Sequence, residues 1–135
     1  KMADAAKQYV LELNSKVDLF VSPNDQMGAN KPFAEMVWQT ATKPLVGLGR
    51  LDVVDGWGAL GSIFISNEEV GRQAGAMVVK ILKGDKIKTI PSEIPKQSGY
   101  ALDLNKCAHF GIPVPDEVLE LIRPEDLVPL TAQKK

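Results

Sequence analysis

SNEEVGRQAGAMVVKILKG, residues 66–84, is the stretch whose reading decides the fold. Ser66 and Glu69 have the spacing of a capping box, in which two side chains satisfy amide donors at a helix start. Apolar residues follow at Val70, Ala74, Met77, Val78, Ile81 and Leu82. Their period is near 3.6, so they mark one face of an amphipathic helix. Glu68 precedes Arg72 in the order that favours an exposed ion pair across one helical turn. Lys80 and Lys83 fall in the last turn, where cations suit the helix dipole, and Gly84 suits the position just past the end. Gly71 and Gly75 share a face. Glycine weakens a helix, so a close approach of this backbone to a sheet is the expected reason for them. An apolar run, residues 61–65, stands immediately before. Strand, cap and striped helix together make half of a βαβ unit.

Upstream, apolar residues at Met2, Ala6, Tyr9, Val10 and Leu13 predict a helix over residues 2–15. VDLFV, residues 17–21, predicts a strand, with Asp18 interrupting it as on a sheet edge. Ser22-Pro23-Asn24-Asp25 is turn chemistry. Asn30 can cap a helix over residues 30–42, with Pro32 in its first turn. A strand is expected over residues 45–48, then a glycine-dense stretch over 47–61. Downstream, Pro91 and Pro95 favour an extended crossover. A strand over 99–104, a short helix capped by Asn105 and closing at Gly111, and a helix over 116–122 complete the order. Residues 1–122 read as one lobe and 123–135 as an ordered edge fading into a polar tail.

Strands alternating with helices predict an α/β fold, a three-layer Rossmann-like lobe with a mostly parallel sheet and right-handed crossovers. Such sheets bind ligands beyond the carboxyl ends of their strands. Those ends are residues 22–26, 47–55 and 66–69.

The 135 residues suit one domain, and 44% hydrophobic with 24% charged residues is ordinary for a globule. A net charge of -1 gives no electrostatic reason to expect a nucleic acid or an anionic membrane as partner. No apolar run reaches the roughly 18 residues of a membrane span. Cys107, the single cysteine, excludes an internal disulfide. The helical character from Met2 onward suits a mature chain, a processed one or an excised domain alike.

Residues 56–61, GWGALG, fit G-x-G-x-x-G, but the fingerprint needs a strand before it and an acid about 20 residues on. A strand follows it instead, so these glycines read as sharp turns. Asn24, Asp25 and Gln26 either form a polar turn or offer amide and carboxylate groups to a small polar ligand. Arg50 and Asp52 are either a solvated pair or a site in which Arg50 takes a carboxylate bidentately. Trp57 is a stacking lid or a plug against the sheet. His109 falls away from the three loops, and Cys107 lacks the partners of a zinc site. No catalytic set, metal set or cofactor motif assembles from these residues.

Val17-Asp18-Leu19-Phe20-Val21-Ser22-Pro23-Asn24-Asp25 and Lys43-Pro44-Leu45-Val46 resemble the second lobe of type I periplasmic binding proteins. Gly58-Ala59-Leu60, Val70-Gly71-Arg72-Gln73-Ala74-Gly75, Ile81-Leu82-Lys83-Gly84, Ile90-Pro91, Leu104-Asn105, Ala108 and Gly111-Ile112-Pro113 follow in one order. That order is similar to the ABC-transporter substrate-binding family that includes tryptophan- and phenylalanine-binding members. The resemblance implies a receptor lobe outside the cytoplasmic membrane, with no enzymatic activity and no cofactor. It would hold a small metabolite, such as an amino acid, against a missing N-terminal lobe, and hinge closure would present it to a membrane permease or sensor. It also implies that Asn24, Asp25 and Gln26 face the cleft, together with the loop over residues 49–55. The segment between Pro44 and Gly58 is longer than the family's by a couple of residues. Asp52 or Asp55 would supply its acidic residue, with Arg50 and Trp57 beside them. Ser66-Asn67-Glu68-Glu69 stands in place of the family's aromatic-rich lead into the long helix. That first turn, Asn67 with it, has a claim on the ligand because helix N-termini at strand ends point amides into the cleft. The same architecture serves the effector domain of a transcription regulator or the sensor module of a signalling protein, and an α/β enzyme is a third class.

Overall fold

A computed structural model describes residues 2–23, 30–95 and 98–131. The chain divides into two compact units, residues 1–64 with 100–135, and residues 65–99. The elements run α1 (Met2–Leu13), β1 (Phe20–Ser22), α2 (Lys31–Thr40), β2 (Leu45–Gly47), α3 (Leu51–Val54), β3 (Gly61–Ile65), α4 (Asn67–Leu82), β4 (Ser98–Asp103), α5 (Leu104–His109), α6 (Asp116–Leu119) and β5 (Leu127–Val128). Short 3-10 turns occupy Ile87–Thr89 and Pro124–Asp126. The sheet has five strands in the order β1-β2-β3-β4-β5. β1 with β2, β2 with β3, and β4 with β5 are parallel pairs. The Asp103 amide donates to the Leu60 carbonyl at 2.8 Å, which sets the carboxyl end of β4 beside the amino end of β3.

In the larger unit the core gathers Val10 of α1, Ala34 and Val37 of α2, Leu45, Val53, Ala59, Phe64 and Ala101. These residues come from α1, α2, α3, the strands β2 to β4 and the turn before β3, so helix stripes and strand faces bury one another. α2 begins as the sequence predicts. Asn30 Oδ1 accepts from the Phe33 amide at 3.2 Å, and Pro32 sits where a missing N–H does no harm. β1 starts three residues later than expected, at Phe20. The reason is local: the Lys16 and Val17 amides both donate to the Leu13 carbonyl, at 2.8 and 3.1 Å, and close α1 with a turn. α6 is likewise shorter than expected, because Leu121 and Ile122 tighten into turn bonds to Val118 and Leu119.

α5 shows a second displacement. Its cap is Asp103, whose Oδ1 accepts from the Asn105 amide at 2.9 Å and the Lys106 amide at 3.3 Å. Asn105, expected to cap, instead donates to the Pro129 carbonyl at 2.9 Å and accepts from the Thr131 amide at 2.8 Å. It thereby ties residues 129–131 to the helix.

In the smaller unit, Ser66 Oγ accepts from the Glu69 amide at 3.3 Å and starts α4 as predicted. Gly84 ends it with φ +100°. Arg72 pairs with Glu69, at 2.6 Å, rather than with Glu68. One turn of helix brings residues three apart as close as residues four apart, and Glu69 is the more buried carboxylate. The Gln73 amide donates to Glu93 Oε2 and to the Ile94 carbonyl at 3.2 and 3.3 Å, so the extended crossover lies along the helix. The close approach expected at Gly71 and Gly75 is not observed: a Cβ at either meets no atom within 4 Å. Val70, Val78 and Leu82 of the expected stripe are exposed.

Candidate functional site

β2 ends at Gly47, and Leu48, Gly49 and Arg50 turn the chain into α3, a helix the glycine-dense sequence hid. Asp52 folds back over that turn. Its Oδ2 accepts from the Gly49 amide at 2.9 Å, and its side chain is buried. Burial pushes its carboxyl above the usual carboxylate range, against the amides of Gly49 and Leu48, which favour the ionised form. The parallel register places Gly47 between Ser22 on β1 and Ser62 on β3. Both serines are buried, and among the described residues the Ser62 hydroxyl has no hydrogen-bond partner.

Arg50 leaves the same turn in another direction. Its Nε donates to Asp126 Oδ1, and its Nη2 donates to the Glu125 carbonyl at 2.8 Å. Asp126 has no exposed surface, and its Oδ2 accepts from Arg123 Nε at 2.9 Å. A buried carboxylate with two guanidiniums is fully hydrogen-bonded, which is the condition for keeping a charge in the interior. The cluster joins the turn after β2 to the segment before β5.

The remaining expected residues are placed as follows. Asp55 is exposed at the end of α3. Trp57 is half-buried and packs against the core. Asn67 is exposed in the first turn of α4, in the smaller unit. Asn24, Asp25 and Gln26 lie outside the described residues. Arg50 and Asp52 therefore share one loop without pairing: the carboxylate turns inward onto backbone amides, and the guanidinium turns toward Asp126. Glu125 and Asp126 carried no signal in local spacing, since the Arg50–Asp126 bond spans 76 positions. The only available hint was an acidic pair beside Arg123 in a segment that otherwise read as a tail.

A second polar cluster forms around α5, at the amino end of β3. Lys106 Nζ donates to Asp103 Oδ2, with both side chains about nine-tenths buried. Burial pushes the Asp103 carboxyl up, but the hydrogen bond and charge of Lys106, with Asn105, outweigh it and hold the group below the ordinary range. Lys106 Nζ also stands 5.2 Å from the centre of the Trp38 ring, in cation–π geometry. His109 packs edge-on against Phe110, with ring centres 4.8 Å apart, and tilted against Trp38 at 5.3 Å. The Cys107 thiol is buried, and that burial, with the Asp103 charge, raises its pKa away from reactivity. Among the described residues no group of His, Cys, Asp and Glu could hold a metal ion, and no helix is long and apolar enough to cross a membrane.

Solved structures that share this fold include three substantial matches. An ABC domain from Streptococcus pneumoniae in complex with L-Trp is 25% identical, with a TM-score of 0.68 over 89% of this chain and 41% of that one. A substrate-binding protein with adhesive properties from Clostridium difficile, ligand-free and open, is 20% identical, with a TM-score of 0.68 over 96% of this chain and 42% of that one. A conserved domain protein from Vibrio cholerae is 18% identical, with a TM-score of 0.65 over 89% of this chain and 40% of that one. The chain thus spans about two fifths of the length of these proteins. No curated protein sequence matches it. The sequence profile described as ABC transporter substrate binding protein matches residues 5–124, nearly the whole fold, and the chain belongs to that family of solute-binding proteins.

Proposed function

We propose that this chain is a solute-binding lobe of an ABC-type transport system, working outside the cytoplasmic membrane. It holds a small metabolite, an amino acid above all, and releases it unchanged. A longer substrate-binding protein would supply a second lobe to close an interlobe cleft, and a membrane permease or sensor would receive the closed form. The observation that carries this reading is the family match over residues 5–124, with the 25% identity to a domain bound to L-Trp as the pointer to ligand class. Open α/β sheets bind ligands outside the carboxyl ends of their strands. We therefore assign the ligand-facing role to the loops after β1 and β2, with Asn24, Asp25 and Gln26 in the first and Arg50 in the second. Asp52 and Trp57 support the second loop from inside, and Asp55 stands at its rim. Isothermal titration of the complete two-lobed protein with the twenty amino acids, L-Trp first, tests this. Saturable heat from at least one is expected. Flat titrations for all twenty would remove amino acids as the ligand class.

A further inference from the structure

We infer that Asp126 is the positioning residue that makes Arg50 a reader of carboxylates, an inference that rests on the solute-binding reading of the β2–α3 loop. A guanidinium has two bidentate edges, one formed by Nε and Nη2, the other by Nη1 and Nη2. In Arg50 the first edge is consumed: Nε donates to Asp126 and Nη2 to the Glu125 carbonyl. Both acceptors come from one turn of chain, and the Asp126 side chain is fully buried, so the plane and direction of the guanidinium are fixed. On the second edge Nη1 makes no hydrogen bond among the described residues, and Nη2, which carries two N–H bonds, donates one to Glu125 and keeps one; 37% of the Arg50 side chain is exposed. Fixing a fork before ligand arrives removes the ordering entropy that a free arginine would lose on binding.

The charges around it leave that edge attractive to an anion. Asp126 divides its charge between Arg50 and Arg123. Asp52, the nearest acid in sequence, is turned inward onto the Gly49 amide and does not compete. Glu125 offers Arg50 only its carbonyl, while its carboxylate stands 3.6 Å from Arg123. The arrangement selects a planar carboxylate presented end-on, such as the α-carboxylate of an amino acid, and rejects a bare amine.

The test follows the Arg50 side-chain nitrogens by NMR in the arginine-labelled chain. Sodium acetate is the probe, with sodium chloride at equal ionic strength as control. A saturable acetate response at Arg50, absent with chloride and absent at the exposed Arg72, is expected. Asp126→Asn should weaken that response at least fivefold while the backbone spectrum stays folded. Arg50→Lys keeps the charge without the fork, and it should lose acetate binding by a similar factor, read from backbone shifts of Gly49 and Leu51. An Arg50 indifferent to acetate in the unaltered chain overturns the inference, whatever becomes of the Asp126 variant. So does a folded Asp126→Asn with undiminished response. Failure of the amino-acid titrations with acetate binding intact would instead leave the carboxylate reader standing and move the ligand to another carboxylated metabolite.

Discussion

Asp52 occupies the space that a side chain on Gly47 would need. A Cβ built on Gly47 would lie 2.7 Å from Asp52 Cβ and closer still to its carboxylate. The near atom is a Cβ anchored to α3 and not the far end of a flexible chain, so backbone must move to relieve the contact. Gly47→Ala should destabilise the fold by about 1–3 kcal/mol, the usual penalty of overpacking. Gly75→Ala on α4 is the opposite case. Its Cβ meets nothing, so the helix propensity gain of about 0.5–1 kcal/mol should appear as added stability. Urea denaturation of the two variants side by side reads both signs.

Asp52 also predicts a pH dependence. Its carboxyl is raised in the folded chain, first by burial. The folded state therefore binds this proton more tightly than the unfolded chain does. Its contribution favours folding most at acid pH and declines as pH rises from about 4, the ordinary aspartate value, through the raised one. Asp52→Asn removes that decline while leaving an oxygen for the Gly49 amide. Stability curves of the two proteins, measured against pH, should converge toward the acid end and separate above it in favour of the variant. Parallel curves would refute the assignment.

Asp103 titrates with the other sign. Its carboxyl is lowered, so its stabilising contribution is complete above the ordinary aspartate value and fades as pH falls through the lowered one. Asp103→Ala removes the α5 cap and strands Lys106 in a buried site. At neutral pH a loss of about 3–5 kcal/mol is expected, as for breaking one side of a buried pair. Denaturation at neutral pH and in strong acid should show the deficit shrinking in acid.

Ser62 should respond in the unusual direction for a buried residue. Its hydroxyl is out of contact with solvent and has no hydrogen-bond partner among the described residues. An unmade buried hydrogen bond costs about 1–3 kcal/mol, so Ser62→Ala should raise stability, on the order of 1 kcal/mol, with the sheet intact. Thermal unfolding followed by circular dichroism measures this, and a drop in Tm would mean the hydroxyl has a partner in solution.

The features legible in the sequence are those governed by neighbours along the chain. The Asn30 and Ser66 caps, the end of α4 at Gly84 and the turn at Gly111 all rest on bonds or dihedrals spanning a few residues. The same local logic misled where two residues could do one job. Asp103 rather than Asn105 caps α5, and Glu69 rather than Glu68 holds Arg72. Spacing gives both candidates the same access, and burial chooses between them. α3 was invisible because glycines on both sides suppress helical periodicity over so short a run. Only the Asp52 carboxylate seated on the turn shows why the helix begins where it does.

The amino-acid order by itself determined the alternation of strand and helix and the family resemblance, and it raised the expectation that the loop after β2 faces a ligand. The alternation follows from the period of apolar residues and from caps, which act over one or two turns of chain, the resemblance from an ordered set of short motifs, and the expectation from where the strands end. Tertiary structure alone decided what that loop can do. Arg50 meets Asp126, and Ser22, Gly47 and Ser62 fall into one row, only when strands far apart in sequence pair in register. Hydrogen bonds of that reach leave no trace in local spacing, because the partner's distance along the chain is set by topology and not by the residues themselves.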